Sequence, residues 1–335
     1  MSKTQIPVGY RSALNVHDTQ IAIGKIKSIF NDRLCAALNL SRVSAPLFVG
    51  ASTGFNDDLN GIERAVAFDI KETGTMAQVV HSLAKWKRYA LYKYGFSVGE
   101  GVVTDMNAIR RDEEMDNLHS IYVDQWDWEK VISREQRNVQ TLKDTVSAIV
   151  GVVCDTLDEI KKLYPAIDVE LSRDVKFVTT YELEEKYPSL TAKERENAAA
   201  EEYGTVFLMQ IGDKLKSGEK HDGRAPDYDD WSLNGDILFY NKVLGCAFEI
   251  SSMGIRVDKE ALLSQLEKAG CPERRELMFH RLLLNGTLPL TMGGGIGQSR
   301  ICMLLLGKAH VGEVQASIWD DQTVKLCREA GVELL

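Results

Sequence analysis

The sequence predicts an α+β fold: an antiparallel sheet with helices packed on it, in one domain spanning residues 1–335. Three observations carry this. Extended segments of alternating polarity follow each other across short turns at 111–117, 241–245 and 252–254. Such short links favour antiparallel pairing, because parallel strands need a crossover of a dozen or more residues. Helical periodicity recurs between the strands. No Pro/Gly/Ser-rich linker, internal repeat or low-complexity tract divides the chain.

Residues 18–40 place Ile21, Ile26, Ile29, Leu34 and Leu38 at helical spacing. "SRVSAPLFVG" reads as extended, since Pro46 excludes a helix interior and drives Ala45 to extended geometry. "ERAVAFDI" reads as a strand, and "HSLAKWKRYALYKYG" as a helix stopped by Gly95. "GEGVVTDMNAIR" and "LHSIYVDQWDWE" read as strands joined by the charged turn "RDEEMDN". A long helix follows over 133–164, then mixed helix and strand over 175–211. Residues 212–235 read as a long polar loop, of the kind that is usually functional or mobile. "DILFYNKVLGCAFEISSMGIRV" reads as a hairpin plus a third short strand, with two helices after it.

Composition bounds the function. The chain is 44% hydrophobic and 27% charged, with a net charge of −9. No basic block offers the phosphate-neutralising surface that nucleic-acid binding relies on, so no nucleic-acid partner is expected. No apolar run is long enough to span a membrane and no secretory leader is recognisable, which points to a cytoplasmic protein. The six cysteines are scattered without a C-x-x-C pair, as expected of reduced thiols.

The stretch "GGGIGQSRICMLLLG" (293–307) concentrates the chemistry. It lacks the G-K-[ST] of a phosphate loop, and too little chain follows for a dinucleotide-binding βαβ unit. It reads instead as a bare strand on which a flat or charged ligand can lie, with a helix starting at Gln298. Arg300 then stands in the first helical turn, against the helix dipole, a placement that favours a ligand role over a structural one.

A Gly-rich strand, an arginine and an apolar helix together resemble the third signature motif of class II aminoacyl-tRNA synthetases. "APLFV" with Pro46 resembles the first motif, and "AIRRDEE" between two strands resembles the second. More narrowly, "VVHSLAKWKR", "HSIYVDQWDWE", "RAPDYDDW", "FEISSMGIRVD" and "GGGIGQSR" resemble the ammonia-dependent asparagine synthetases, the aspartate–ammonia ligases of the asparagine synthetase A type. The resemblance runs essentially end to end. It implies a homodimeric catalytic domain, with Pro46 and the first helix at the interface. The implied reaction takes L-aspartate, ATP and ammonia to L-asparagine, AMP and pyrophosphate through a β-aspartyl-adenylate. An aspartyl- or asparaginyl-tRNA synthetase is the alternative, but the added anticodon-binding barrel of those enzymes has no counterpart here.

The resemblance also assigns residues. Arg110 contacts the α-phosphate and the attacking carboxylate, with Arg111 left open as a one-residue register alternative. Glu113 meets the nucleotide. Arg300 lies over the adenine, Gly294 and Gly295 form the floor beneath it, and Ser252 is a further nucleotide contact. Asp236 and Glu249 are expected at opposed positions on a hairpin, where like charges favour an intervening Mg²⁺. Asp57, with Asp58 beside it, is the acid for an amino group or for ammonium. Ser82, Lys87 and Gln125 supply donors to aspartate. Strand alternation puts Gln125 and Asp127 on the site face and Trp126 and Trp128 in the core. Asp227 and Asp229 either close over the substrate or belong to a plain Asx-rich turn. His81 and His119 are expected to be buried and hydrogen-bonded. Amidation from glutamine is disfavoured because no cysteine stands at the N-terminus; the earliest is Cys35.

Overall fold

A computed structural model describes residues 3–56 and 63–335. In chain order the strands are β1 (Leu40–Arg42), β2 (Phe48–Gly50), β3 (Ala67–Ile70), β4 (Thr75–Val79), β5 (Gly101–Ile109), β6 (Tyr122–Val131), β7 (Lys176–Thr179), β8 (Thr205–Met209), β9 (Asp229–Asn241), β10 (Cys246–Arg256) and β11 (Thr291–Gly297). The helices are α1 (Val16–Leu38), α2 (Ala84–Tyr94), α3 (Val139–Leu163), α4 (Thr180–Lys186), α5 (Ala192–Tyr203), α6 (Lys259–Lys268), α7 (Met278–Leu284), α8 (Gln298–Leu305) and α9 (Asp321–Glu329).

Eight strands form the main sheet in the order β1-β5-β6-β11-β10-β9-β8-β7, and β2-β4-β3 make a small separate sheet. The main sheet is antiparallel through its centre, as expected, but its two end pairs, β1–β5 and β7–β8, are parallel. The second exception has a plain cause: α4 and α5 form the crossover that a parallel pair requires. In the first, the small sheet and α2 lie between the partners.

One face of the sheet carries the main core. α1 and α3 lie against it, burying Ala22, Ile26, Phe30 and Leu34 from α1 and Val146, Ile149 and Val153 from α3 against Trp126 and Trp128 of β6. Phe30 and Trp126 stack with ring centroids 4.4 Å apart. The predicted alternation on β6 is therefore present, with its tryptophans inside.

Several boundaries move. α1 is capped by the Asn15 side chain and ends at Asn39 with φ 57°. α3 starts only at Val139, because the Asn138 side chain takes the N–H of Thr141 and fixes the cap there. The strand read from "ERAVAFDI" is confined to Ala67–Ile70. The last seven residues of the predicted loop 212–235 are strand, since β9 begins at Asp229. Its opening Asp229, Asp230 and Trp231 are buried by pairing with β10 and by Gln265 beneath. Nor is there a turn at 252–254; β10 runs unbroken through it, held between β9 and β11. Among the described residues no helix is long and apolar enough to cross a membrane, and the six cysteines are unpaired.

Candidate active site

The sheet face opposite α1 and α3 holds a cavity of about 440 Å³. β6, β11, β10 and β9 supply its floor, α2 one wall, and the 110–124 hairpin and the 222–229 segment its rim. Its lining includes Ser82, Lys87, Arg110, Glu113, Gln125, Asp127, Asp229, Asp236, Glu249, Ser252, Gly294, Gly295 and Arg300. All of these were singled out from sequence. Asp57 lies outside the described residues.

Alternation on β6 brings Gln125, Asp127 and Glu129 to the cavity face. Asp127 receives the N–H of Leu83 at 3.2 Å and a salt bridge from Lys87, which is wholly buried. The Lys87 ammonium also donates to the carbonyls of Trp128 (2.9 Å) and Gly294 (3.2 Å), so α2 is pinned to the sheet by a charge. Burial pushes the Lys87 ammonium below its ordinary value, against the pull of Asp127 and Glu129. Beside it Arg256 forks onto Glu129 (Nε–Oε1 3.0 Å, Nη2–Oε2 2.7 Å) and also reaches Asp229. Burial raises the Asp229 carboxyl, with Arg256 opposing.

The glycines divide by face. A Cβ on Gly293 would fall 2.0 Å from the Glu129 carboxylate, and one on Gly295 would fall 2.2 Å from Gln125 Oε1. The bare Gly293 leaves room for the Glu129–Arg256 pair, and the bare Gly295 leaves room for Gln125 at the cavity wall. A Cβ on Gly294 would point the other way, 2.5 Å from Met253 Cβ. Gly294 lines the cavity with its backbone, as expected of a floor, while the absence of its side chain is demanded by the core on the other face.

Arg110 and Glu113 lie together at the rim, Nη1–Oε2 3.8 Å, while Arg111 is exposed. Of the two, Arg110 lines the cavity and Arg111 does not. Across the floor, Arg300 donates to the Glu249 carbonyl at 2.8 Å and approaches its carboxylate at 3.7 Å.

Asp236 and Glu249 are not opposed as expected: Asp236 pairs with Ser252, and Glu249 with Leu238. A bulge between Glu249 and Ser251 shifts the register and turns both acids into the cavity. Arg224 bridges Asp236 (2.7 Å) and Ser252. Burial, opposed by Arg224 and reinforced by Glu249, raises the Asp236 carboxyl to about 7. Among the described residues no group of three or more His, Cys, Asp or Glu forms a closed metal cage.

Asp227 is corrected more fully. It does not line the cavity but lies buried behind it, held by Lys85 (3.2 Å), His280 Nε2 (3.0 Å) and Arg274 (3.5 Å). Burial would raise its carboxyl; Lys85, the His280 hydrogen bond and Arg274 outweigh burial and hold it below its ordinary value. His81 is buried, with its backbone N–H on Asn56 Oδ1. His119 is not buried: it lines the cavity and bonds Asp116 at 2.9 Å.

Sequence reasoning missed Arg224, Arg256, Glu129 and Asp222, all of which line the cavity or brace a residue that does. Glu129 was reachable, since it continues the period-two series of Gln125 and Asp127. Arg256 was visible as a lone charge ending an apolar strand.

Comparison with known proteins agrees with this geometry. Residues 17–331 match the family described as aspartate-ammonia ligase. An aspartate–ammonia ligase of Clostridium perfringens (strain 13 / Type A) is 59% identical over 336 residues, covering 100% of both chains. One of Ruminiclostridium cellulolyticum is 59% identical over 330 residues, 98% of each. Among solved structures, Entamoeba histolytica asparaginyl-tRNA synthetase matches with TM-score 0.62 and 16% identity, over 90% of this chain and 67% of that one. Pyrococcus horikoshii asparaginyl-tRNA synthetase, complexed with asparaginyl-adenylate, matches with TM-score 0.62 and 18% identity, over 90% and 70%. The fold is thus that of class II aminoacyl-tRNA synthetase catalytic cores, and by sequence along nearly its whole length the chain belongs to the aspartate-ammonia ligase family.

Proposed function

We propose that this chain converts L-aspartate, ATP and ammonia to L-asparagine, AMP and pyrophosphate through a β-aspartyl-adenylate. The observation that carries the reading is one cavity lined by Arg110 and Arg300 together with the buried carboxylates Asp127, Asp229 and Asp236. A carboxylate and a triphosphate repel each other, and their meeting requires fixed cations. Arg110 is placed for the α-phosphate and the attacking carboxylate; its planar donors suit bridging two anions. Arg300 lies over the base. Ser82 and Gln125 orient aspartate, Lys87 acts through Asp127, which it holds in place, and Asp127, Asp229 and Asp57 favour its ammonium or the incoming ammonium. A β-carboxylate oxygen bonds the α-phosphorus and pyrophosphate leaves. Ammonia then bonds the acyl carbon, AMP leaves, and one proton is lost.

Mg²⁺ fits this site as a cation shared with the nucleotide. Asp236 holds its proton unusually strongly because Glu249 is near and water is excluded, so a divalent cation relieves both acids. Two carboxylates leave phosphate oxygens to complete its shell, the usual magnesium arrangement. Bound there, it neutralises charge on the triphosphate.

The proposal includes a homodimer. Phe48 and Phe68 share one face of the small sheet and reach solvent, edge-on to each other at 5.1 Å. This apolar face adjoins Pro46, where the first motif predicts the interface. Sedimentation tests it: a dimer mass supports the reading, and a monomer at micromolar concentration opposes it.

The activity is tested by AMP and asparagine release from ATP, Mg²⁺ and aspartate, with ammonium, glutamine or tRNA in separate arms. Release with ammonium alone is expected. Turnover that requires tRNA would replace this reading with the synthetase one.

A further inference from the structure

One end of the cavity differs from the rest. Leu118 and Val311 line it together with Ser299, Arg300 and Gln315, and the Val311 N–H donates to the carbonyl of Asn117, next to Leu118, at 2.8 Å. Gln315 is 5% exposed. Its Nε2 donates to Asp124 Oδ1 (3.3 Å) and to Ser299 Oγ (3.0 Å). The orientation of this amide is dictated by Asp124, whose carboxylate already takes the Ser299 N–H (3.0 Å) and Lys27 Nζ (3.1 Å) and can only accept. The amide must therefore turn its NH₂ toward Asp124, which leaves Oε1 as an acceptor. Among the described residues no donor reaches that Oε1, although it is shielded from solvent.

A buried acceptor without a donor is a standing cost that a ligand can relieve. We infer that Gln315 is a base-specificity residue, whose Oε1 accepts a hydrogen bond from the exocyclic amine of a purine lying between Arg300 and the Leu118–Val311 wall. The inference rests on the nucleotide reading of this cavity and adds the determinant of which base it takes. A 6-amino group donates to Oε1; a 6-oxo group sets acceptor against acceptor. Asp124 and Lys27 act through Gln315 by fixing the flip of its amide. Sites built around a buried polar partner reject analogues lacking the matching group more strongly than apolar pockets do.

The test measures AMP release by the intact protein with ATP, purine riboside triphosphate (hydrogen at position 6) and ITP (oxygen at position 6). The wild type should favour ATP over purine riboside triphosphate by about tenfold or more in kcat/KM, the ratio of one lost hydrogen bond, with ITP poorer still. Gln315→Met should lower ATP toward purine riboside triphosphate and bring their ratio near one. Gln315→Glu keeps an acceptor and should keep the preference for the amine even if all rates fall together. A wild type that uses ITP as well as ATP overturns the inference, as does an unchanged ratio in Gln315→Met. If Gln315→Met does not fold, loss of the preference in Gln315→Glu overturns it and retention supports it. A wild type that makes no AMP from any of the three overturns the nucleotide reading itself, and this inference with it.

Discussion

Arg256 holds Glu129 through two parallel hydrogen bonds, Nε to Oε1 at 3.0 Å and Nη2 to Oε2 at 2.7 Å, with both side chains sealed from solvent. Burial opposes the charge on Glu129, yet Arg256 and Lys87 keep its carboxyl below its ordinary value. Removing Glu129 leaves the buried Arg256 with Asp229 as its one remaining carboxylate, and breaking a buried ion pair costs up to about 3–5 kcal/mol. Glu129→Gln should therefore lower the denaturation midpoint sharply. The double change Glu129→Gln with Arg256→Met should recover part of that loss. A double variant less stable than the sum of the two single changes would show that the pair does not act as a unit.

Arg110 faces the cavity and Arg111 faces solvent. Arg110→Ala should reduce aspartate-dependent exchange of pyrophosphate into ATP by at least about 10²-fold, the scale of losing a charge-stabilising donor. Arg111→Ala should stay within about twofold of wild type, as surface changes usually do. Equal losses in the two variants would remove Arg110 from its role.

Asp236 titrates near 7 because it is buried near Glu249, despite the help of Arg224. A raised carboxyl favours the fold at low pH: its contribution is present below its ordinary value near 4 and is lost as pH rises through about 7. Without nucleotide, wild-type protein should lose stability from this group between those limits, and Asp236→Asn should flatten that slope. The proposed magnesium–ATP site needs the ionised form, so on that proposal nucleotide affinity should weaken as pH falls below 7 and the profile should vanish in Asp236→Asn. Denaturation midpoints between pH 4 and 7 check the first sign, and calorimetric titration of nucleotide at pH 6 and 8 checks the second.

Gly294 and Gly295 separate packing from access. Gly294→Ala drives a Cβ into Met253 and should cost about 1–3 kcal/mol of stability, as core overpacking does. Gly295→Ala meets only the movable end of Gln125. It should spare the denaturation midpoint and raise KM for aspartate or ATP. Equal effects on stability and KM in both variants would refute the division by face.

These contrasts also show what could be read beforehand. The bare strand, the helix starting at Gln298 and the inward face of Gln125 and Asp127 were legible, because glycine content and period-two alternation are local properties. The β9–β10 register was not. A bulge near Ile250 shifts it, and nothing in "FEISS" announces which residue is extra. Asp227 looked like Asp229 in "APDYDD", yet one is turned toward Lys85 and His280 and the other toward Arg256. That choice depends on helices α2 and α7, far away in sequence. The parallel end pairs were missed because turn length speaks only for neighbouring strands.

The central claim is that aspartate is activated by joining its β-carboxylate to the α-phosphate. It is tested most directly by running the ammonium reaction with aspartate carrying ¹⁸O in the β-carboxylate and weighing the products. The account predicts one ¹⁸O atom in the phosphate of each AMP and none in pyrophosphate. Unlabelled AMP alongside full asparagine yield would contradict it.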